Sequence, residues 1–188
     1  MSLCQDRDIP LIFPWVASFL GLVYTLAGRG AEGVSLLEQA VEQAVSKDRR
    51  AYMALWVALL GEAYLLTGRL EEAYTRAVQA LELARTHQER GHEAWALRLL
   101  GEIAMHPEPP AVESAVAHYC QALALAEELG MRPLQAHCHR GLGMLYAMTG
   151  QREQARVQLS TAVDLYQAMA MTFWLPETEA ALAQVEGG

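Results

Sequence analysis

Histidine and cysteine, whose side chains are common zinc ligands, cluster in two places in this chain of 188 residues. His118 and Cys120 form one group, and His137, Cys138 and His139 form the other. Residues two positions apart on a helix point about 200° apart, so His137 and His139 cannot reach one ion. The spacing also fits no known zinc pattern. We therefore predict no metal site and no other cofactor.

The short motifs by which catalytic sites are recognised are also missing from the sequence. His92 and Glu93 resemble the start of a zinc-protease helix motif, but no second histidine follows at the required spacing. There is no glycine-rich phosphate-binding loop and no G-x-S-x-G nucleophile motif. The sequence therefore predicts a protein that is not an enzyme.

The composition indicates a folded, acidic protein in a reducing compartment. Hydrophobic residues make up 53% of the chain and charged residues 19%, which excludes general disorder. The net charge is −8 and there is no run of lysine or arginine, so neither nucleic acid nor a membrane is an expected partner. Three cysteines without close, even spacing, and the lack of a basic leader, favour a cytoplasmic location.

A Leu-Gly pair recurs four times and divides the chain into repeated segments. Its glycines are Gly21, Gly61, Gly101 and Gly143, which lie 40, 40 and 42 residues apart. In three of the four copies a second glycine follows seven residues later. The apolar spacing predicts two helices in each copy, the first of them ending at this second glycine. Such a pair cannot cover its own apolar face, so successive pairs must stack.

Two of the copies, LLGEAYLLTGRLEEAYTRAVQA (Leu59–Ala80) and GLGMLYAMTGQREQARVQLSTA (Gly141–Ala162), closely resemble tetratricopeptide repeats. The resemblance implies an all-α protein, a right-handed superhelical array of antiparallel helix pairs with about four repeats and a C-terminal cap helix. The first repeat departs from the family's pattern, since Gly33 replaces the usual alanine. The expected bounds are an N-terminal tail at 1–8 and a repeat domain at 9–186, with repeats at about 11–48, 49–89, 90–130 and 131–170 and the cap helix at 173–186.

The stretch from Ile9 to Gly28 has no charged side chain and is about as long as a membrane-spanning helix. It keeps the register of the other copies, however, and Pro10 and Pro14 do not suit a straight membrane helix. We therefore predict a repeat helix at 11–27. Because it is apolar all round, we expect its free face to be covered by the N-terminal tail or by self-association as a homodimer. We also expect the chain to be the C-terminal piece of a longer protein.

In tetratricopeptide proteins a concave groove lined by the first helices binds other proteins, and the resemblance implies such a groove here. Its lining positions lie six and three residues before the Leu-Gly glycine and one residue after it. Arg98 and Glu102 lie four residues apart in this set and could pair with each other. The Lys/Asn set by which chaperone-binding relatives hold a C-terminal carboxylate is absent, and a structural spacer without a groove ligand stays an alternative. The predicted lining is Trp15, Ser18, Leu22, Leu55, Ala58, Glu62, Trp95, Arg98, Glu102, His137, Arg140 and Met144.

The segment Tyr119–Leu175 is similar to the C-terminal repeat region of bacterial signal-transduction proteins that carry a class III adenylate or guanylate cyclase domain and an AAA-type ATPase. The similarity lies in EELGMRPL (127–134) and AHCHRGLG (136–143). It implies a noncatalytic regulatory module whose partner is a protein, a peptide or a neighbouring domain of its own chain. The alternative is the effector-sensing repeat domain of an ATPase-type transcription activator, which would bind a small ligand or a peptide. Phe173 and Trp174 are predicted to attach the cap helix.

Overall fold

The computed structural model describes residues 12–46, 51–107 and 110–187, and these residues form nine α-helices and no strand. The all-α class predicted from the sequence is therefore confirmed. The predicted tail at 1–8 lies outside the described residues. The helices are α1 (Phe13–Leu26), α2 (Gly30–Ser46), α3 (Met53–Leu66), α4 (Leu70–Thr86), α5 (Arg90–Ala104), α6 (Val112–Glu128), α7 (Arg132–Met148), α8 (Arg152–Ala168) and α9 (Leu175–Gly187).

The chain divides into two compact units, Met1–Leu99 and Leu100–Gly188. In the first unit α1 packs along α2 and α3 along α4, and α3 also contacts both helices of the preceding pair. In the second unit α7 packs along α8, with α6 against α7 and α9 against α8. Short turns make α1 and α2, α3 and α4, and α7 and α8 antiparallel. Within each unit the helices thus form stacked pairs, while the residue bounds of the four repeats remain a prediction.

The first helix of three pairs ends at a glycine in the left-handed backbone region. The φ angles of Gly28, Gly68 and Gly150 are 80°, 78° and 75°. Glycine adopts this conformation without steric cost because it has no Cβ. The predicted glycine caps are therefore confirmed, and they allow the second helix to begin two residues later.

Small side chains line the contact between the helices of a pair. Ala73, Ala77, Ala80 and Ala84 of α4 are fully buried, and their spacing puts them on one face. In α2 the position of Ala73 is taken by Gly33, where a Cβ would clash with the carbonyl oxygen of Gly21 and the hydroxyl group of Thr25. The two helices of the first pair therefore approach more closely at this point than an alanine would allow.

The first apolar segment forms a helix of the repeat array, as predicted, within the described residues. The helix begins at Phe13, with Pro14 in its first turn, where the missing amide is not needed. Phe13 and Ala17 pack with Ala40 of α2. No helix in the described ranges is both long and apolar enough to cross a membrane. The first of the two predicted alternatives was that the N-terminal tail covers this helix. That tail lies outside the described residues.

Candidate functional site

Three of the predicted lining residues in the first unit present almost no surface. Ser18, Ala58 and Arg98 are exposed to 0%, 6% and 6% of their areas. The hydroxyl group of Ser18 donates a hydrogen bond to the carbonyl oxygen of Pro14 at 2.6 Å, inside its own helix. Packing thus removes these three from the predicted binding surface. The half-exposed lining residues of this unit are Trp15, Leu22, Leu55, Glu62 and Trp95.

A buried ion pair links the first helices of two successive pairs. Nη2 of Arg98 on α5 lies 2.8 Å from Oε2 of Glu62 on α3, and the side chains are only 7% and 20% exposed. The guanidinium carbon of Arg98 also lies 5.4 Å from the ring centroid of Trp95. Sequence spacing suggested Glu102 as the partner of Arg98 and missed Glu62, which is 36 residues away in the sequence. Removing Arg98 would leave the carboxylate of Glu62 without this cation, and removing a member of a buried ion pair is usually destabilising.

Aromatic rings from the first helices of three successive pairs, and from the residue just before α3, meet in the first unit. We call Trp15, Tyr52, Trp56 and His92 the aromatic cluster. The ring centroid of Trp15 lies 4.7 Å from that of Tyr52 and 6.0 Å from that of Trp56, both in edge contact. The rings of Tyr52 and His92 are 6.1 Å apart. Only Trp15 of these four was predicted as a lining residue, since the others do not occupy the expected positions.

Tyr52 holds an unusual backbone conformation for its side chain. It precedes α3 with φ 65° and ψ 5°, in the left-handed region, and 44% of its area is exposed. A residue with a Cβ pays about 1–2 kcal/mol for this conformation. In the same cluster, the indole nitrogen of Trp56 is buried without a hydrogen-bond partner among the described residues. The cluster therefore combines an exposed ring, a strained backbone and an unsatisfied buried donor.

In the second unit the predicted lining residues of α7 are engaged by α9 and the turn before it. Nη2 of Arg140 lies 2.8 Å from Oε1 of Glu177, and its guanidinium carbon lies 5.6 Å from the ring centroid of Trp174. The ring of His137 lies 5.3 Å from that of Trp174, and its Nδ1 lies 2.8 Å from the hydroxyl oxygen of Tyr166. These side chains thus hold the last helix in place.

The remaining two predicted residues, Glu102 and Met144, lie in the second unit. Glu102 accepts a hydrogen bond of 3.1 Å from the hydroxyl group of the fully buried Tyr119, and Met144 is half-buried. Tyr119 packs against Gly101 and Gly141, and a Cβ at Gly141 would clash with its ring. The two glycines could have indicated a large side chain facing them.

The histidines and cysteines considered as metal ligands have separate surroundings. His139 Nδ1 lies 2.7 Å from Oε1 of Gln158, whereas His137 faces Tyr166. Cys138 is buried and Cys120 exposed. In the part of the chain that the structure describes, no three histidine, cysteine or acidic side chains come together as a metal site.

An open depression of about 480 Å³ lies between α1 and α2. It shares no residue with the predicted lining, and its residues belong to the first helix pair alone. It is lined by Tyr24, Ala31, Glu32, Ser35, Leu36 and Gln39.

No protein-family model and no curated protein matches the chain. Solved structures do match it. BtubC from P. vanneervenii has a TM-score of 0.73 at 20% identity, covering 96% of this chain and 76% of that one. The signal transduction ATPase with a tetratricopeptide repeat sensor from Pyrococcus horikoshii has a TM-score of 0.74 at 16% identity, covering 98% and 29%. The kinesin-light-chain-like repeats of Podosopora anserina have a TM-score of 0.65 at 21% identity, covering 90% and 83%.

These likenesses show the fold, which is a helical repeat of the tetratricopeptide type. The resemblance inferred from the Leu-Gly, tyrosine, glycine and alanine positions is therefore confirmed at the level of fold. The chain spans about three quarters of the first of these structures and less than a third of the ATPase.

Proposed function

We propose that the chain is a noncatalytic module that binds a protein or peptide segment on the first-helix surface of its first unit. The observation that carries the proposal is the aromatic cluster, whose Tyr52 is exposed while its backbone is strained. Tyrosine and tryptophan are enriched among the residues that dominate binding energy at protein interfaces, because they bury a large area and keep a polar edge.

Backbone strain at an exposed aromatic residue favours a functional role over a structural one. Asparagine or glycine at position 52 would adopt φ 65° at lower cost. Strained residues of this kind are found most often at binding and active sites, where the surrounding structure holds them in place. The alternative of a spacer without a ligand gives no reason for a tyrosine at this position.

The proposal also includes a larger bacterial signalling protein as the parent of this module, acting in the cytoplasm. It rests on the similarity of Tyr119–Leu175 to repeats that accompany cyclase and ATPase domains, and on the shared fold with an ATPase whose repeats are described as a sensor. In this role the module regulates neighbouring domains and carries no chemistry of its own. The reading frame upstream of Met1 tests the parentage: we expect a nucleotide-binding or output domain in frame, and finding neither would remove its basis.

Selection of binding peptides from a displayed random library tests the function on the full chain. We expect selected peptides to lose about tenfold in affinity when Tyr52→Asn removes the exposed ring. The variant should fold as stably as the wild type to within about 1 kcal/mol, because relief of the backbone strain offsets the lost ring contact.

Tyr74→Asn is the matched control, since Tyr74 is 56% exposed but lies on a second helix, away from the aromatic cluster. This variant should bind the selected peptides like the wild type. Failure to select any peptide, or equal affinity of the Tyr52→Asn variant, would refute the proposed binding surface.

A further inference from the structure

The first helix exposes an apolar stripe that its counterparts bury. Val16, Phe19 and Val23 of α1 are exposed to 41%, 48% and 58% of their areas. Val16 and Phe19 lie five and two residues before the Leu-Gly glycine, and Val23 lies two residues after it. Successive members are three and four residues apart, which puts them on one side of the helix. We call these three residues the apolar stripe.

The same three positions are covered in the later first helices. In α3 they are Trp56, Leu59 and Ala63, which are exposed to 1%, 9% and 0%. In α7 they are Cys138 and Leu145, both at 0%, and the buried Gly141. The exposure of the stripe is therefore a property of the first copy and not of the position in the repeat.

In these later copies the face at the stripe positions is covered by the second helix of the preceding pair. In the second unit Gly141 faces Tyr119 on α6, so closely that a Cβ would clash with the ring. In the first unit α3 packs against α2 of the preceding pair. By the repeat register, the stripe on α1 occupies the position at which such a helix would pack.

Polar contacts fix the position of the covering helix α2 on α3. The hydroxyl group of Tyr64 donates a hydrogen bond of 2.7 Å to Oε1 of Glu38 on α2. Arg69 stacks on the ring of Tyr64 at 4.2 Å and reaches the same Oε1 of Glu38 at 3.7 Å. Its other carboxylate partner is Glu72, at 3.0 Å on its own helix pair. A tyrosine and an arginine thus hold one glutamate of the covering helix.

The first pair repeats this arrangement, except that among the described residues no glutamate of a covering helix is placed there. Arg29 stacks on the ring of Tyr24 with its guanidinium carbon 3.9 Å from the centroid. It bonds Glu32 with its Nε at 2.9 Å, as Arg69 bonds Glu72. The backbone amides of Arg29 and Arg69 donate alike to the carbonyl oxygens of Tyr24 and Tyr64. The open depression between α1 and α2 lies beside this Tyr24.

We propose that the apolar stripe with Tyr24 and Arg29 is a docking site for an amphipathic helix of a partner protein, one that presents a glutamate between apolar residues. The covering helix α2 provides the residue pattern expected of this partner helix. In α2, Glu38 lies four residues after Val34 and three before Val41, on one face. The glutamate would accept the hydrogen bond of Tyr24 and pair with Arg29, while the apolar residues cover the stripe. The stripe borders the aromatic cluster, since the ring centroid of Phe19 lies 6.0 Å from that of Trp15, but the proposal does not rest on the function proposed for that cluster.

A second copy of the chain is a poorer occupant. Within the described residues α2, α6 and α8 already contact α3, α7 and α9. Helix α4 is engaged with α5 through Arg85 and Glu93, at 2.8 Å. Pairing of α1 with α1 of a second copy would bring no carboxylate to Arg29, because Phe13–Leu26 carries no charge.

A stapled helical peptide of residues 30–46 is the probe, titrated into the full chain. The staple joins positions 39 and 43, which lie about 100° or more around the helix from Glu38, so the docking face stays native. Val16→Asp in the protein should lower affinity more than tenfold, because it puts a charge into the apolar contact. Tyr74→Asn should leave the affinity of this peptide unchanged, since Tyr74 is exposed on α4, away from the stripe.

A double-mutant cycle tests the predicted ion pair. Arg29→Gln in the protein and Glu38→Gln in the peptide should each weaken binding several-fold, and together little more than either alone. The charge exchange, Arg29→Glu with Glu38→Lys, should restore part of the affinity. Arg156→Gln is the matched control, since Arg156 forms the same exposed pair, three residues from Glu153, on another helix.

Three results would overturn the proposal. The stapled peptide could fail to bind up to its solubility limit. Its affinity could be the same for wild type and Arg29→Gln. Light scattering could also show a dimer that Val16→Asp converts to monomer, which would make a second copy the occupant.

Discussion

Single residues at the helix crossings decide how closely the helices of a pair approach. Gly33 stands where the family's pattern has alanine, and the structure gives the reason. The carbonyl oxygen of Gly21 and the hydroxyl group of Thr25 occupy the space that a methyl group would need. The sequence showed that this position departs from the pattern, but not which atoms fill the space, because they come from the facing helix.

We predict that Gly33→Ala destabilises the protein although alanine has the higher helix propensity. Propensity favours alanine by about 1 kcal/mol, while overpacking costs about 1–3 kcal/mol and must move backbone atoms. Urea unfolding should show a net loss of stability. Gly187→Ala is the control, since no atom of the described residues lies within 4 Å of the place its Cβ would take, and it should be neutral or slightly stabilising. An unchanged or raised free energy of unfolding for Gly33→Ala would contradict the close approach.

A second residue-scale prediction concerns Tyr64. Burial, and then the hydrogen bond to Glu38, raise the pKa of Tyr64 above that of an exposed phenol. The folded state therefore holds this proton more tightly than the unfolded state, whose tyrosines titrate near about pH 10. The stabilising contribution is complete below that pH and is lost as the pH rises through the folded pKa.

Urea unfolding between about pH 8 and pH 11 measures this loss. The free energy of unfolding should fall more steeply above about pH 10 for the wild type than for Tyr64→Phe. Glu38→Gln removes the second cause of the raised pKa, so its decline should be smaller than that of the wild type. Parallel curves for the wild type and Tyr64→Phe would show that Tyr64 does not contribute.

At the scale of the elements, the last helix is attached near both ends: Arg152 of α8 donates hydrogen bonds of 2.6 and 3.2 Å to the carbonyl oxygen of Val185, and other side chains hold its start. Trp174 packs against the core formed by Ala136, Ala162 and Tyr166, beside the ion pair of Arg140 and Glu177. Phe173 makes an edge contact with Trp174, at 4.8 Å between ring centroids, and is 65% exposed. The prediction that both aromatic residues attach this helix therefore applies mainly to Trp174.

We predict that Trp174→Ala loosens the start of α9, while Arg152 still holds its end. The half-buried ring should contribute about 2 kcal/mol, less than a fully buried tryptophan. Hydrogen exchange of the α9 amides should accelerate, while α7 keeps its protection. Phe173→Ala, one residue away, should change stability by no more than about 0.5 kcal/mol. Equal effects of the two variants would contradict the assigned roles.

The sequence predicted the positions of the helices more fully than it predicted which of their side chains are exposed. Apolar spacing and the glycine caps predicted the first helices because these signals are local. The engagement of Arg140 by Glu177 is not local: the two residues are 37 apart in sequence and belong to different helices. The family's pattern predicted which side of the first helices the lining residues occupy. It did not predict which of these residues are buried by other parts of the same chain.

At the scale of the whole molecule, the repeat explains both the fold and the exposed surfaces. Helix α3 buries the corresponding face and packs against α2, and α7 does the same with α6, so the bare face of α1 stands out against them. The aromatic cluster could not be predicted in full, because it needs Tyr52 in a left-handed conformation that no local pattern indicates. Both candidate surfaces thus depend on which residues the stacked pairs leave uncovered.

The central claim is that the first-helix surface of the first unit binds a partner, and the indole N–H signals test it most directly. The chain has four tryptophans, of which Trp15 and Trp56 belong to the aromatic cluster and Trp174 lies at α9. Titration of the ¹⁵N-labelled full chain with a selected peptide should shift the signals of Trp15 and Trp56 and leave that of Trp174 in place. A shift of Trp174 alone, or none at saturating peptide, would contradict the claim.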